Sequence, residues 1–61
     1  MLSVNSQRKI YNNYKNGTTT KIGRYYYTIA YNACASIHTF IIRSDDGYKW
    51  HWLQPLDKEV N

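Results

Sequence analysis

The tetrapeptide Ser44-Asp45-Asp46-Gly47 constrains this chain more than any other segment, because it reverses the chain between two stretches rich in aromatic and β-branched residues. Ser and Asp satisfy turn amides with their own side chains, and Gly enters the left-handed backbone region without the steric cost of a β-carbon. The expected element is a hairpin over Ile37 to Leu53, with a type I turn followed by a left-handed glycine. If Asp45, Asp46 and Gly47 form the loop, Ser44 faces Tyr48. The ladder then continues as Arg43 with Lys49, Ile42 with Trp50, Ile41 with His51, and Phe40 with Trp52.

Side chains alternate between the two faces of a strand, so this register sorts them. Phe40, Ile42, Tyr48, Trp50 and Trp52 fall on one face, the expected core face. Thr39, Ile41, Arg43, Lys49, His51 and Leu53 fall on the other. Burial of the tryptophans would hold the register, since a one-residue slip exchanges the faces. A second alternating segment spans Arg24 to Tyr31. A connection of two or four residues near Asn32 to Ala35 places Tyr25, Tyr27 and Ile29 with Phe40 and Ile42, and leaves Arg24, Tyr26 and Thr28 on the outer side. Antiparallel strands are expected over about 24–31, 36–44 and 48–53.

Upstream, Asn16-Gly17 is a hairpin signal with poorly alternating flanks. A helix capped by Ser6 and stopped by Gly17 is the competing assignment, opposed by Arg8 and Lys9, which would sit at its positive end. The preferred assignment is a further strand hairpin, with Gly23 bending the strand after it. The fold class is then all-β, a small single-domain antiparallel meander of about four strands that can curl into a partial barrel. The alternative is α+β, with an N-terminal helix on a three-stranded antiparallel sheet. Pro55 ends the last strand, and residues 56–61 are expected to form a flexible, solvated C-terminal tail.

A chain of 61 residues buries only about 60% of its unfolded surface, so a few large side chains, a partner or self-association must stabilise it. Cys34 is the sole cysteine, which excludes an intrachain disulfide and a cysteine-rich zinc site. Residues 1–6 lack the apolar core of a signal peptide, and no apolar run approaches the roughly 20 residues that span a bilayer. A cytoplasmic protein without membrane attachment is expected. The abundance of Asn, Lys, Ile and Tyr fits an A+T-rich gene such as a phage or mobile element carries.

Catalysis has no nominee. His38 and His51 fall on opposite faces in this register, Asp45 and Asp46 are turn formers, and Gly17, Gly23 and Gly47 are too far apart for a phosphate loop. No enzyme activity, cofactor or metal is expected.

Charge points elsewhere. Residues 1–44 carry Arg8, Lys9, Lys15, Lys21, Arg24 and Arg43 with no Asp or Glu, a net +6. Residues 45–61 set Lys49 and Lys58 against Asp45, Asp46, Asp57 and Glu59, a net −2, giving +4 for the chain. Such a surface attracts polyanions or acidic protein faces. Arg43 opposite Lys49, with Arg24 on the neighbouring strand, concentrates like charge that a bound anion would relieve. The expected function is nucleic-acid binding, DNA or RNA, through cations Arg24, Arg43, Lys49, Lys15 and Lys21 and stacking by Tyr26 and His51. The competing function is a protein-binding inhibitor or adaptor that docks on an acidic surface. Homo-oligomerisation through leftover aromatics is the third option.

Overall fold

A computed structural model describes residues 2–34 and 38–60. One helix, α1 (Val4–Lys15), precedes four strands, β1 (Thr20–Ile22), β2 (Tyr25–Tyr31), β3 (Thr39–Ser44) and β4 (His51–Pro55). The strands form one antiparallel sheet in the order β1-β2-β3-β4, the expected four-stranded meander. The sheet is open rather than closed into a barrel, and the one helix beside it makes an α+β description as apt as the all-β one.

The N-terminal segment is helical because its caps work. Ser3, in extended conformation, accepts the Ser6 amide on its Oγ (3.1 Å), so helix initiation lies three residues before the expected Ser6 cap. This earlier start moves Arg8 and Lys9 out of the first turn and removes the electrostatic objection to a helix. Lys15 sits in the last turn, where the dipole favours a cation. Gly17, at φ +83°, donates to the Tyr14 carbonyl (3.0 Å), and Thr18 donates to that of Asn13 (2.8 Å), the paired bonds of a Schellman stop. Asn16-Gly17 thus ends a helix instead of turning a hairpin. Gly23, at φ +63°, fills the first of two turn positions between Ile22 and Tyr25, where a bend within a strand was expected.

The pairing of β2 with β3 decides what is buried. Ile29 faces Ile41, Tyr27 faces Arg43, and Tyr31 faces Thr39. The connection between these strands therefore runs from Asn32 to His38, an odd number of residues, closed by the Asn32 amide on the His38 carbonyl (2.7 Å). An even connection was expected, and the odd one inverts the faces of β3 relative to β2. Residues 35–37, which include Ser36 and Ile37 of the strand expected over about 36–44, lie outside the described residues. Tyr25, Tyr27 and Ile29 consequently share a face with Ile41, not with Phe40 and Ile42.

That face carries the core. Ile10, Tyr27, Ile29, Ile41 and Leu56 are buried together, with Leu2, Tyr11, Ile22, Tyr25, Leu53 and Val60 packed against them. Helix α1 contributes Gln7 and Ile10, one turn apart on its inward side, and packs on β1 and β2. A bulge between Ile41 and Ile42 accommodates Leu53 as an extra residue of β4.

Residues 56–60 return to this core instead of trailing into solvent. Leu56 is only 6% exposed, and its amide donates to the Thr39 carbonyl (3.1 Å). The buried Gln7 amide group fastens the segment: its Nε2 donates to the Leu2 carbonyl (3.0 Å), and its Oε1 accepts the Asp57 amide (2.9 Å). The helix start and the C-terminal segment are thereby joined across a separation of 50 residues.

The expected tryptophan core is not formed: Trp50 lies half-buried in the loop after β3, outside the strands, and Trp52 is exposed. Trp52 faces Ile42 on the side away from the helix and is 62% exposed, whereas Ile41, assigned from sequence to the outer face, is completely buried. Replacing Ile41 by Ala should therefore cost about 2–5 kcal/mol in urea unfolding. Trp52→Ala should cost about 1 kcal/mol or less, because it removes a surface ring. Equal costs for the two would contradict the assignment of faces.

Candidate nucleic-acid interface

The helix covers one side of the sheet, and strand alternation places Lys21, Tyr26, Thr28, Ala30, Phe40, Ile42 and Trp52 on the other. Three of these are large rings. Trp52 meets Phe40 edge to face, with centroids 5.1 Å apart and planes at 82°. Lys21 Nζ lies over the Tyr26 ring, 5.2 Å from its centroid. The open face thus presents aromatic surface with a single cation upon it, and a cation so placed is attracted by the ring quadrupole while staying in water.

The loop between β3 and β4 closes one end of this face. It spans Asp45 to Trp50, because the ladder pairs Arg43 with His51 and Ile42 with Trp52. The expected three-residue loop paired the same residues of β3 two positions earlier on β4, with Arg43 opposite Lys49. Side-chain hydrogen bonds explain the longer loop. Ser44, nearly fully buried, accepts the amides of Asp46 (3.3 Å) and Gly47 (2.8 Å) on its Oγ and donates to Asp46 Oδ1 (2.9 Å). The same Oδ1 accepts the amides of Tyr48 (2.8 Å) and Lys49 (3.0 Å). These bonds satisfy loop amides that a tighter hairpin would pair across strands. Gly47 has the expected positive φ, +83°, and a β-carbon there would stand 3.8 Å from two Tyr26 ring carbons.

The amides of Lys49 and Tyr48 and the Ser44 hydroxyl hold the Asp46 carboxyl below its ordinary value of 3.8, because each donates to the ionised form.

The cations and rings selected from sequence separate onto different surfaces. Arg43 lies on the helix-bearing face, half-buried, with its guanidinium 4.4 Å from the centroid of the Tyr25 ring. His51, its exposed cross-strand partner, joins Tyr25, Arg43, Ser44 and Asp45 around a shallow cleft of about 200 Å³ at the sheet end. Lys49 is in the loop and exposed, so the like-charge pair expected between Arg43 and Lys49 does not exist. Arg24 is exposed in the turn between β1 and β2, at the same end of the sheet. Lys15 lies at the helix end with Nζ 5.4 Å from the Tyr11 ring centroid. Of the seven residues, only Lys21 and Tyr26 share the open face, with Arg24 and Lys49 at its end.

Phe40, Trp52 and Tyr48 were not selected as site residues. Tyr48 is 88% exposed in the loop. A signal was present in the adjacent isoleucines Ile41 and Ile42, which make both faces of β3 apolar when a short chain has material to cover only one.

No helix among the described residues is long and apolar enough to cross a membrane. No family model, no curated protein and no solved structure matches the chain.

Gly47→Val should destabilise the protein by about 1 kcal/mol or more, since a β-branched side chain is strained at positive φ. Acid should loosen the loop. A carboxyl whose folded pKa lies below its unfolded value stabilises the fold above the unfolded value, and that contribution fades as pH falls through the folded one. The Tyr48 and Lys49 amide resonances should therefore hold their positions down to about pH 4 and shift together at lower pH. Movement of both near neutrality would contradict the role given to Asp46.

Proposed function

We propose that this protein binds nucleic acid on the open face of its sheet. The observation that carries this reading is Trp52, 62% exposed and braced edge-on by Phe40 on the side the helix leaves uncovered. A braced, solvent-facing indole is a poor core residue and a good stacking surface, because every base offers a π-face. Tyr26 supplies a further ring. Lys21 on the face, and Arg24 and Lys49 at its end, supply phosphate contacts, with long-range attraction from the positive charge of residues 1–44. Arg43 and His51 belong to the opposite surface and have no part in this interface. The chemistry requires only contacts and no reacting group, so the proposed role is a non-enzymatic one.

Ala30, Ile42 and Phe40 favour a second reading, in which the same face docks on another protein. They make a continuous apolar strip across β2 and β3, and such strips mark protein contacts as well. Salt separates the two. Binding to nucleic acid releases counterions, so log affinity should fall with log salt by about 0.7–0.9 per phosphate contacted.

Titration of oligonucleotides against the intrinsic tryptophan fluorescence provides the assay. Trp52→Ala should weaken binding, and Lys21→Ala should reduce the salt slope by about 1. Lys58→Ala, in the C-terminal segment, should leave both unchanged. Binding that ignores salt, or that survives loss of Trp52, would reject the proposal.

A further inference from the structure

We infer that Tyr48 is a stacking residue for an unpaired base, set in position by the Ser44 and Asp46 side chains, and that the ligand of the open face is single-stranded. This inference rests on the nucleic-acid reading above and names the substrate class of that site.

Three observations converge on Tyr48. Its exposure, 88%, exceeds that of Trp52, Tyr31 and Tyr14, the other exposed large rings. Its backbone is nevertheless fixed, since its amide and that of Lys49 both end on Asp46 Oδ1, which Ser44 holds from the strand end. The preceding Gly47 turns toward the Tyr26 ring of the open face, so that a β-carbon at that position would stand 3.8 Å from two of its ring carbons. An aromatic side chain on a loop bonded in this way, next to a sheet face bearing three more rings, loses little conformational entropy when a ligand stacks upon it.

The geometry also selects the strand state. Rings standing out from a sheet and its end loop meet the flat faces of bases. In a duplex those faces are covered by neighbouring base pairs, and a base must be unpaired and unstacked before one is uncovered. In a single strand they are free, and recognition by stacking with cations along the backbone follows directly. Lys49 adjoins Tyr48 in sequence, and Arg24 lies at the same end of the sheet, so a phosphate beside the stacked base has cations within the same region.

The test uses fluorescence anisotropy of a labelled oligothymidylate, alone and annealed to oligoadenylate, with the full chain and five variants whose folding is verified by circular dichroism. The single strand should bind more tightly than the duplex. Tyr48→Ala should weaken single-strand binding about fivefold or more, the scale of losing one base–aromatic stack, and Tyr48→Phe should retain it. Asp46→Ala gives the sharpest discrimination. It deletes a negative charge, which by electrostatics alone would tighten binding to a polyanion, whereas loss of the loop's anchor should weaken it. Asp46→Asn, which keeps an oxygen acceptor, should bind at least as well as the wild type.

Full affinity in Tyr48→Ala, tighter binding by Asp46→Ala, or equal affinity for duplex and single strand would each overturn the inference. If Trp52→Ala still weakens binding in that event, the open face stands as the nucleic-acid site without Tyr48. If neither ring matters, both the inference and the site assignment fall.

Discussion

A single helix can cover only one face of a four-stranded sheet, and the contact of Ile10 with that face governs the rest of this molecule. Ile10 and Ile41 are completely buried, and Ile29, the cross-strand neighbour of Ile41, is nearly so. Once these side chains point toward the helix, alternation sends Phe40, Ile42 and Trp52 the other way. Apolar surface is then left over, because β3 carries isoleucine on both faces and the described residues form no second helix to cover it. The exposed aromatic face is thus a consequence of how the core closes, and no separate binding element has to be added to the fold.

Parity explains where the sequence was readable and where it was not. Strand existence could be read from alternating aromatic and β-branched residues, and the positive φ of Gly47 from the turn chemistry around it. The faces could not. They depend on whether the segment between Tyr31 and Thr39 has an odd or even number of residues outside the ladder, which Asn32, Ala33 and Cys34 do not specify. Asn32 closes an Asx-type turn by accepting the Cys34 amide (3.0 Å), and Asn forms such turns in loops of many lengths. A similar ambiguity lay in Asn16-Gly17, whose left-handed glycine serves a helix stop and a hairpin equally well. Ser3 resolves it, as a cap one turn earlier than Ser6 relieves the repulsion between the helix dipole and Arg8. Of the candidate site, Tyr26, Lys21, Arg24 and Lys49 could be picked out as residue types, whereas Phe40 and Trp52 required the parity and Tyr48 required the length of the loop after β3.

The C-terminal segment was the least legible part, and its anchor is polar. Gln7 is almost fully buried yet satisfied, donating to Leu2 and accepting from Asp57. A buried amide without partners would cost about 1–3 kcal/mol, so these bonds make the docked arrangement of both termini specific as well as compact. Nothing in the local sequence around Asp57 indicates a partner 50 residues away. The edges of the sheet show a related economy. β1 has three residues, and β4 carries a bulge and ends in Pro55, features that discourage pairing with further strands. The edges are thus poor sites for association, in keeping with the proposal that contact is made on the open face.

Rings committed to that face cannot also stabilise the core, and this division has a thermodynamic consequence. Among the described residues the buried apolar set is small, and Tyr48 and Trp52 contribute little to it while remaining the most accessible contact surfaces beside Tyr31. A ligand that engages them binds the folded state alone, since the face exists only when β2, β3 and β4 are paired. Its binding free energy then adds to folding stability, by RT times the logarithm of one plus the ratio of ligand concentration to Kd. For a chain this short the addition is large relative to intrinsic stability, which the small core keeps modest. Stability and occupancy are consequently coupled through the same strands: the pairing of Ile29 with Ile41 that closes the core is also what aligns Phe40 and Trp52 on the opposite side.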